Sequence, residues 1–121
     1  MVRVLRRTDL KREEVEDISF EGVISDRIRI EHIIADQDAT IEKGHAKSLK
    51  IRPIEIPAGY ILLNTLYATN PYGHVIAVGE DTLKRLNEDR NVDYAMFLAG
   101  IEADIRKGDL IGMVMLVEVL L

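Results

Sequence analysis

Lys107-Gly108-Asp109-Leu110-Ile111-Gly112-Met113-Val114-Met115-Leu116-Val117-Glu118-Val119-Leu120 is the stretch on which the fold turns. From Asp109 to Leu120 it is almost wholly aliphatic, rich in Val, Ile, Leu and Met, and reads as one long strand. That is more apolar surface than one face of a small sheet needs, and an exposed edge of this kind aggregates. The strand is therefore expected to be central in its sheet, or to bury one face against a second subunit in a homo-oligomer.

The residues leading into this strand have a twin. Glu102-Ala103-Asp104-Ile105-Arg106-Lys107-Gly108-Asp109 resembles Asp38-Ala39-Thr40-Ile41-Glu42-Lys43-Gly44-His45, and each precedes an apolar strand. The shared Ile-x-Lys-Gly reads as a turn in which Gly supplies a positive φ and Lys is solvated. A duplicated half-barrel explains the pair, and so do two unrelated hairpins with good turn chemistry.

Working outward, Ile28, Ile30, His32 and Ile34 alternate with Arg29 and Glu31, which predicts a half-buried strand with the first set inward. Another strand is expected over Ile18 to Ile24. Leu49 and Ile51 have one parity and Ile54 and Ile56 the other, and the switch falls at Pro53, which predicts a bulge that keeps all four inward. Ile56-Pro57-Ala58-Gly59 and Asn70-Pro71-Tyr72-Gly73 are type I turn patterns. Strands are expected after them over Tyr60 to Tyr67 and His74 to Val78, the second buried on both faces. Glu80 to Arg90, with Leu83 and Leu86 three apart, predicts a short helix, and Tyr94 to Ala99 a buried strand. The fold class is mainly β: a compact barrel or folded sheet with at most one or two short helices.

With 121 residues, 47% apolar and 31% charged, the chain is expected to form a single domain over 1–121. A formal net charge of -5 argues against nucleic acid as a partner. Arg3, Arg6, Arg7, Lys11 and Arg12 are followed by Glu13, Glu14, Glu16 and Asp17, a charge-balanced surface rather than a nucleic-acid arm. The absence of cysteine removes disulfides and thiolate chemistry, and no apolar run is long enough for a membrane span, so a cytoplasmic, non-membrane protein is expected. A lack of Cys and Trp, a single Gln and many Glu, Lys and Arg match the composition of thermostable proteins.

Ile76-Ala77-Val78-Gly79-Glu80, Val92-Asp93-Tyr94-Ala95-Met96-Phe97-Leu98-Ala99 and Lys107-Gly108-Asp109-Leu110-Ile111-Gly112 resemble the signatures of an archaeal family known only as domain of unknown function twenty-two. The likeness runs from about Glu31 onward and implies an archaeal source but no activity. A looser likeness joins Ile54-Glu55-Ile56-Pro57-Ala58-Gly59-Tyr60 and the Lys107 to Gly112 segment to strand openings of β-clip proteins such as dUTPases, which implies a β-clip-like fold and nothing about function. The dUTPase pattern needs an Arg-Ser-Ser element, and Ile61-Leu62-Leu63-Asn64-Thr65-Leu66 has none.

Chemistry-bearing groups are sparse. His32, His45 and His74 have no metal-ligand spacing, and no dinucleotide or P-loop motif is present, so no metal or cofactor is expected. Ser19, Ser25 and Ser48 sit in no nucleophile motif. The segment Tyr67 to His74 gathers hydroxyl, amide, aromatic and imidazole groups on one loop, and Asn70, Tyr72 and His74 are the ligand-binding candidates. In the plainer account Asn70 caps the turn, Pro71 and Gly73 shape it, and Tyr72 covers the core rim. Asp93, opening an apolar strand, is the fourth candidate. If buried it needs a partner. These features favour a self-associating binding or structural module that recognises a small polar ligand or a protein partner. The alternative is a small enzyme acting on a polar metabolite by acid-base chemistry, which requires His74 and an acidic group to converge.

Overall fold

The aliphatic run does form a central strand. In a computed structural model, which describes residues 2–16, 27–65 and 67–119, ten strands follow in order: β1 Val2–Leu5, β2 Arg12–Val15, β3 Ile28–Ile34, β4 Ala39–Ile41, β5 Ala46–Ile56, β6 Tyr60–Asn64, β7 Gly73–Gly79, β8 Arg90–Ala99, β9 Ala103–Ile105 and β10 Leu110–Glu118. β10 lies between β3 and β6, the central position expected for it. A second three-stranded sheet has the order β5-β8-β7, and β4-β9 and β1-β2 are two-stranded ladders. All ladders are antiparallel and none closes a barrel, so the mainly β expectation holds in its folded-sheet form. The strand expected over Ile18 to Ile24 lies outside the described residues.

Both three-stranded sheets contribute to one core cluster. Ile33, Ile111, Val114 and Leu116 come from the first, and Leu49, Ile51, Val75, Val92, Ala95 and Phe97 from the second. The bulge expected at Pro53 is present: Leu49, Ile51, Ile54 and Ile56 are all buried, and the β5-β8 register shifts between Lys50 and Ile54.

Three expectations are corrected. Ile28, Ile30 and His32 lie opposite Val117, Met115 and Met113 on the outer face of their sheet, while Ile33 is inward and fully buried. Because β10 is apolar on both faces, either parity of β3 finds apolar partners, and the register decides between them. The run at β7 is not buried on both faces: Val75 is inward, but Ile76 is half exposed on this edge strand. No helix forms at Glu80 to Arg90. Leu83 projects wholly into solvent, so a short helix there would lack the packed stripe that stabilises one. Among the described residues no helix is long and apolar enough to cross a membrane.

The twin segments pair with each other. Ala39 lies opposite Ile105 and Ile41 opposite Ala103, so equivalent residues are related by a local two-fold. Gly44 and Gly108 both have positive φ, as the turn reading requires. Gly44 N donates to Ala99 O and Ala99 N to His45 O, while Gly108 N donates to Ala35 O and Ala35 N to Asp109 O. Every one of these matches at the same offset in sequence, as do the strand pairs Ala46 with Leu98 and Leu110 with Ile34. Of the two accounts of the twins, the geometry favours duplication.

Two glycines separate two kinds of constraint. A Cβ on Gly73 would stand 1.9 Å from the Leu98 carbonyl oxygen, a backbone atom that cannot swing away, whereas one on Gly44 meets nothing within 4 Å and suffers only its φ of 81°. Gly73→Ala is therefore expected to cost about 3 kcal/mol or more and Gly44→Ala about 1 kcal/mol. Urea denaturation of the two variants should show that order, and equal losses would contradict it.

Candidate functional site

The polar interior begins at the Lys107-Gly108 turn, whose Gly108 φ of 93° directs Asp109 inward, where it is 0% exposed. Burying a carboxylate is costly unless it is paired and hydrogen-bonded. Arg12 supplies the pair from β2: Nε donates to Oδ1 at 3.0 Å and Nη2 to Oδ2 at 3.0 Å. Arg106 N donates to the same Oδ2 at 2.9 Å, and Arg12 Nη2 also donates to the Asp104 carbonyl. Desolvation works against the Arg12 charge, but its hydrogen bond to Asp109 and the attraction of Asp109, Tyr72 and Asp104 outweigh that, and its pKa stands above its ordinary value. Backbone contacts complete the attachment of the hairpin, with Arg3 N donating to Gly108 O at 2.8 Å.

Asn70 and Tyr72 belong to the same region. Asn70 is 2% exposed, its Oδ1 accepts from Tyr72 N at 2.9 Å, and its Nδ2 donates to Leu110 O at 3.1 Å. Tyr72 is buried in the core cluster and close enough to Arg12 to favour its charge. Both side chains thus shape the loop from within. No buried side-chain nitrogen or oxygen among the described residues lacks a partner, so this cluster is internally satisfied.

His74 and Asp93 lie elsewhere. Both are exposed, on the β7-β8 ladder, with His74 opposite Leu98 and Asp93 next to Tyr94, which pairs with Gly79 at the far end. Five residues of strand put them about 17 Å apart at ~3.3 Å per residue. Among the described residues no group of three or more His, Asp or Glu is placed to hold a metal ion.

The open, polar concavity lies at the bend of β5. Two adjoining recesses of about 380 and 390 Å³ share Glu55, Pro57 and Asn91. Arg29, Glu31, Pro53 and Ile54 complete one, and Ile56, Lys84, Asp89 and Arg90 the other. Several of these charges are already engaged. Arg90 donates to the carbonyls of Glu88, Pro57 and Tyr60, Lys84 pairs with Glu80 at 3.3 Å, and Asp89 accepts from Ala58 N at 2.9 Å. Arg29 lies over the Tyr60 ring, 5.2 Å from its centre. The side chains of Glu31, Glu55 and Asn91 make no hydrogen bond or ion pair among the described residues. The recess they line with Arg29 has two carboxylates against one guanidinium, a net negative site set on strands rather than on mobile loops.

The chain matches the family described as domain of unknown function DUF22 over residues 1–103. It is 37% identical over 112 residues to an uncharacterized protein of Methanocaldococcus jannaschii, covering 92% of this chain and 86% of that one. No solved structure matches.

Breaking a buried ion pair by removing one partner costs about 3–5 kcal/mol. Arg12→Ala is expected to lower the urea midpoint accordingly and to speed amide exchange across Val2–Leu5 and Arg12–Val15, whereas the double variant Arg12→Met/Asp109→Leu should recover much of the loss. An Arg12→Ala protein with wild-type exchange in the hairpin would show that the pair does not hold it.

Proposed function

Since the chain belongs to the archaeal family described as domain of unknown function DUF22, a description that brings no activity with it, we propose from the geometry that it is a binding module for a small, polar, amine-bearing molecule. The observation that supports this is the recess at the β5 bend, where the side chains of Glu31, Glu55 and Asn91, with no hydrogen bond or ion pair among the described residues, surround a volume of about 390 Å³. Ligand sites are commonly pre-formed hollows with a few convergent polar groups on a rigid frame. An ammonium group between the two carboxylates would form charge-assisted hydrogen bonds, and the Arg29 guanidinium, held against Tyr60, would donate N–H bonds to a hydroxyl or carboxylate oxygen of the same ligand. The neighbouring recess, whose charges Arg90, Lys84 and Asp89 already have partners, would take the uncharged remainder.

The test is thermal melting in millimolar 1,4-diaminobutane and, separately, in 1,4-butanediol. Binding to the folded state alone adds RT ln(1 + [L]/Kd), about 1.4 kcal/mol at ten times Kd. The diamine is expected to raise the melting temperature by a few degrees, the diol to leave it unchanged, and Glu31→Gln/Glu55→Gln to abolish the diamine effect. No shift with the diamine, or a shift that survives in the double variant, would remove the cleft as its site.

A further inference from the structure

A further recess, away from the β5 bend, lies between the N-terminal hairpin and the loop before β7. It measures about 290 Å³ and is lined by Val4, Leu5, Arg7, Tyr67, Ala68, Thr69, Pro71 and Leu110. Its existence follows from the buried pair: Arg12 and Asp109 fix the hairpin on one side, and Asn70, bonded to the Leu110 carbonyl, fixes the loop on the other.

The lining differs in kind from that of the polar cleft. Val4, Leu5, Ala68, Pro71 and Leu110 form apolar walls, and the Tyr67 ring stands 72% exposed beside them. A large exposed aromatic next to apolar walls is unfavourable in water and favourable against an apolar ligand surface. One side chain in the lining carries a formal charge, Arg7. Its neighbour Arg6 is neutralised by Asp9 at 2.9 Å and Glu13 at 3.3 Å, and Arg3 lies 3.7 Å from Glu14. Arg7 makes no hydrogen bond or ion pair among the described residues. Glu13 and Glu14 thus face Arg6 and Arg3, and among the described residues no carboxylate pairs with the Arg7 guanidinium at the apolar recess.

We infer that this recess binds a small organic anion with an apolar body, such as an aromatic carboxylate: the body lies against Tyr67, Pro71 and Leu110, and the carboxylate takes paired N–H donors from Arg7 with the Thr69 hydroxyl beside them. Guanidinium and carboxylate match as planar two-point partners, and the volume suits a small molecule.

The probe is 2-naphthoate, followed by its own fluorescence, which a chain without Trp does not obscure. Wild-type protein is expected to bind 2-naphthoate at least tenfold more tightly than 2-naphthalenemethanol. Arg7→Gln should erase that preference, Tyr67→Ala should weaken both probes, and Arg7→Lys should keep part of the preference. Arg7 is exposed, so the Arg7 variants are expected to melt like wild type. Glu31→Gln/Glu55→Gln, which alters only the polar cleft, should bind 2-naphthoate normally. Equal affinity for the two probes, unchanged binding in Arg7→Gln, or no binding at millimolar 2-naphthoate would overturn the assignment.

Discussion

The structure depends on a reciprocal pair of backbone crossings. At each of two Lys-Gly turns the chain hydrogen-bonds to the end of a strand from the other half: Gly44 N to Ala99 O at 2.7 Å, and Gly108 N to Ala35 O at 2.8 Å. The strand after each turn then pairs across the divide, β5 with β8 and β10 with β3. Since each long strand completes the other half's sheet, neither half can satisfy its backbone or bury its inner face alone. The two are thereby committed to one core that includes Ile33 and Phe97 at equivalent, fully buried positions.

Equivalence of backbone has not kept equivalence of side chain. Asp109 and His45 occupy matching places after Gly108 and Gly44, yet Asp109 is sealed under Arg12 while the His45 side chain is 67% exposed beside Glu42 at 3.5 Å. The carboxylate makes one turn a docking point for the hairpin. The imidazole leaves the other bare. A side-chain difference between two related turns thus adds to the backbone contacts of Arg3 in holding the hairpin at one of them, beside the recess between hairpin and loop.

Legibility in the sequence followed the range of the interaction. Turn chemistry and strand periodicity are local, and Gly44, Gly108, Pro53 and the core parity of β5 were readable from neighbours alone. So was the turn role of Asn70, whose side chain caps Tyr72 two residues on. What failed depended on register: which face of β3 turns inward is decided by β10, about eighty residues later in the chain, because both faces of β10 accept apolar partners. The Arg12–Asp109 pair joins groups 97 positions apart, and nothing local distinguishes Arg12 from its basic neighbours. Asp109 had one signal, its place after the Lys-Gly turn that recurs as Lys43-Gly44. Glu31 and Glu55 read as ordinary solvent positions on alternating strands. Their convergence exists only once β3 and β5 are brought together by the bridge between Ala35 and Ile51.

The polar cleft is in turn a consequence of Pro53. Lacking an N–H, it cannot donate to the ladder, and β5 advances four residues from Lys50 to Ile54 while β8 advances two, from Tyr94 to Val92. Both strands change parity there. Pro53 and Glu55 face outward on β5, and Asp93 and Tyr94 are exposed in succession on β8. A ladder that changes parity on both strands at one level must bend, and the hollow lined by Pro53, Glu55 and Asn91 sits at that bend. The residue that keeps Leu49, Ile51, Ile54 and Ile56 all in the core therefore also opens the concavity on the opposite side, so core packing and cleft shape cannot vary independently at this position.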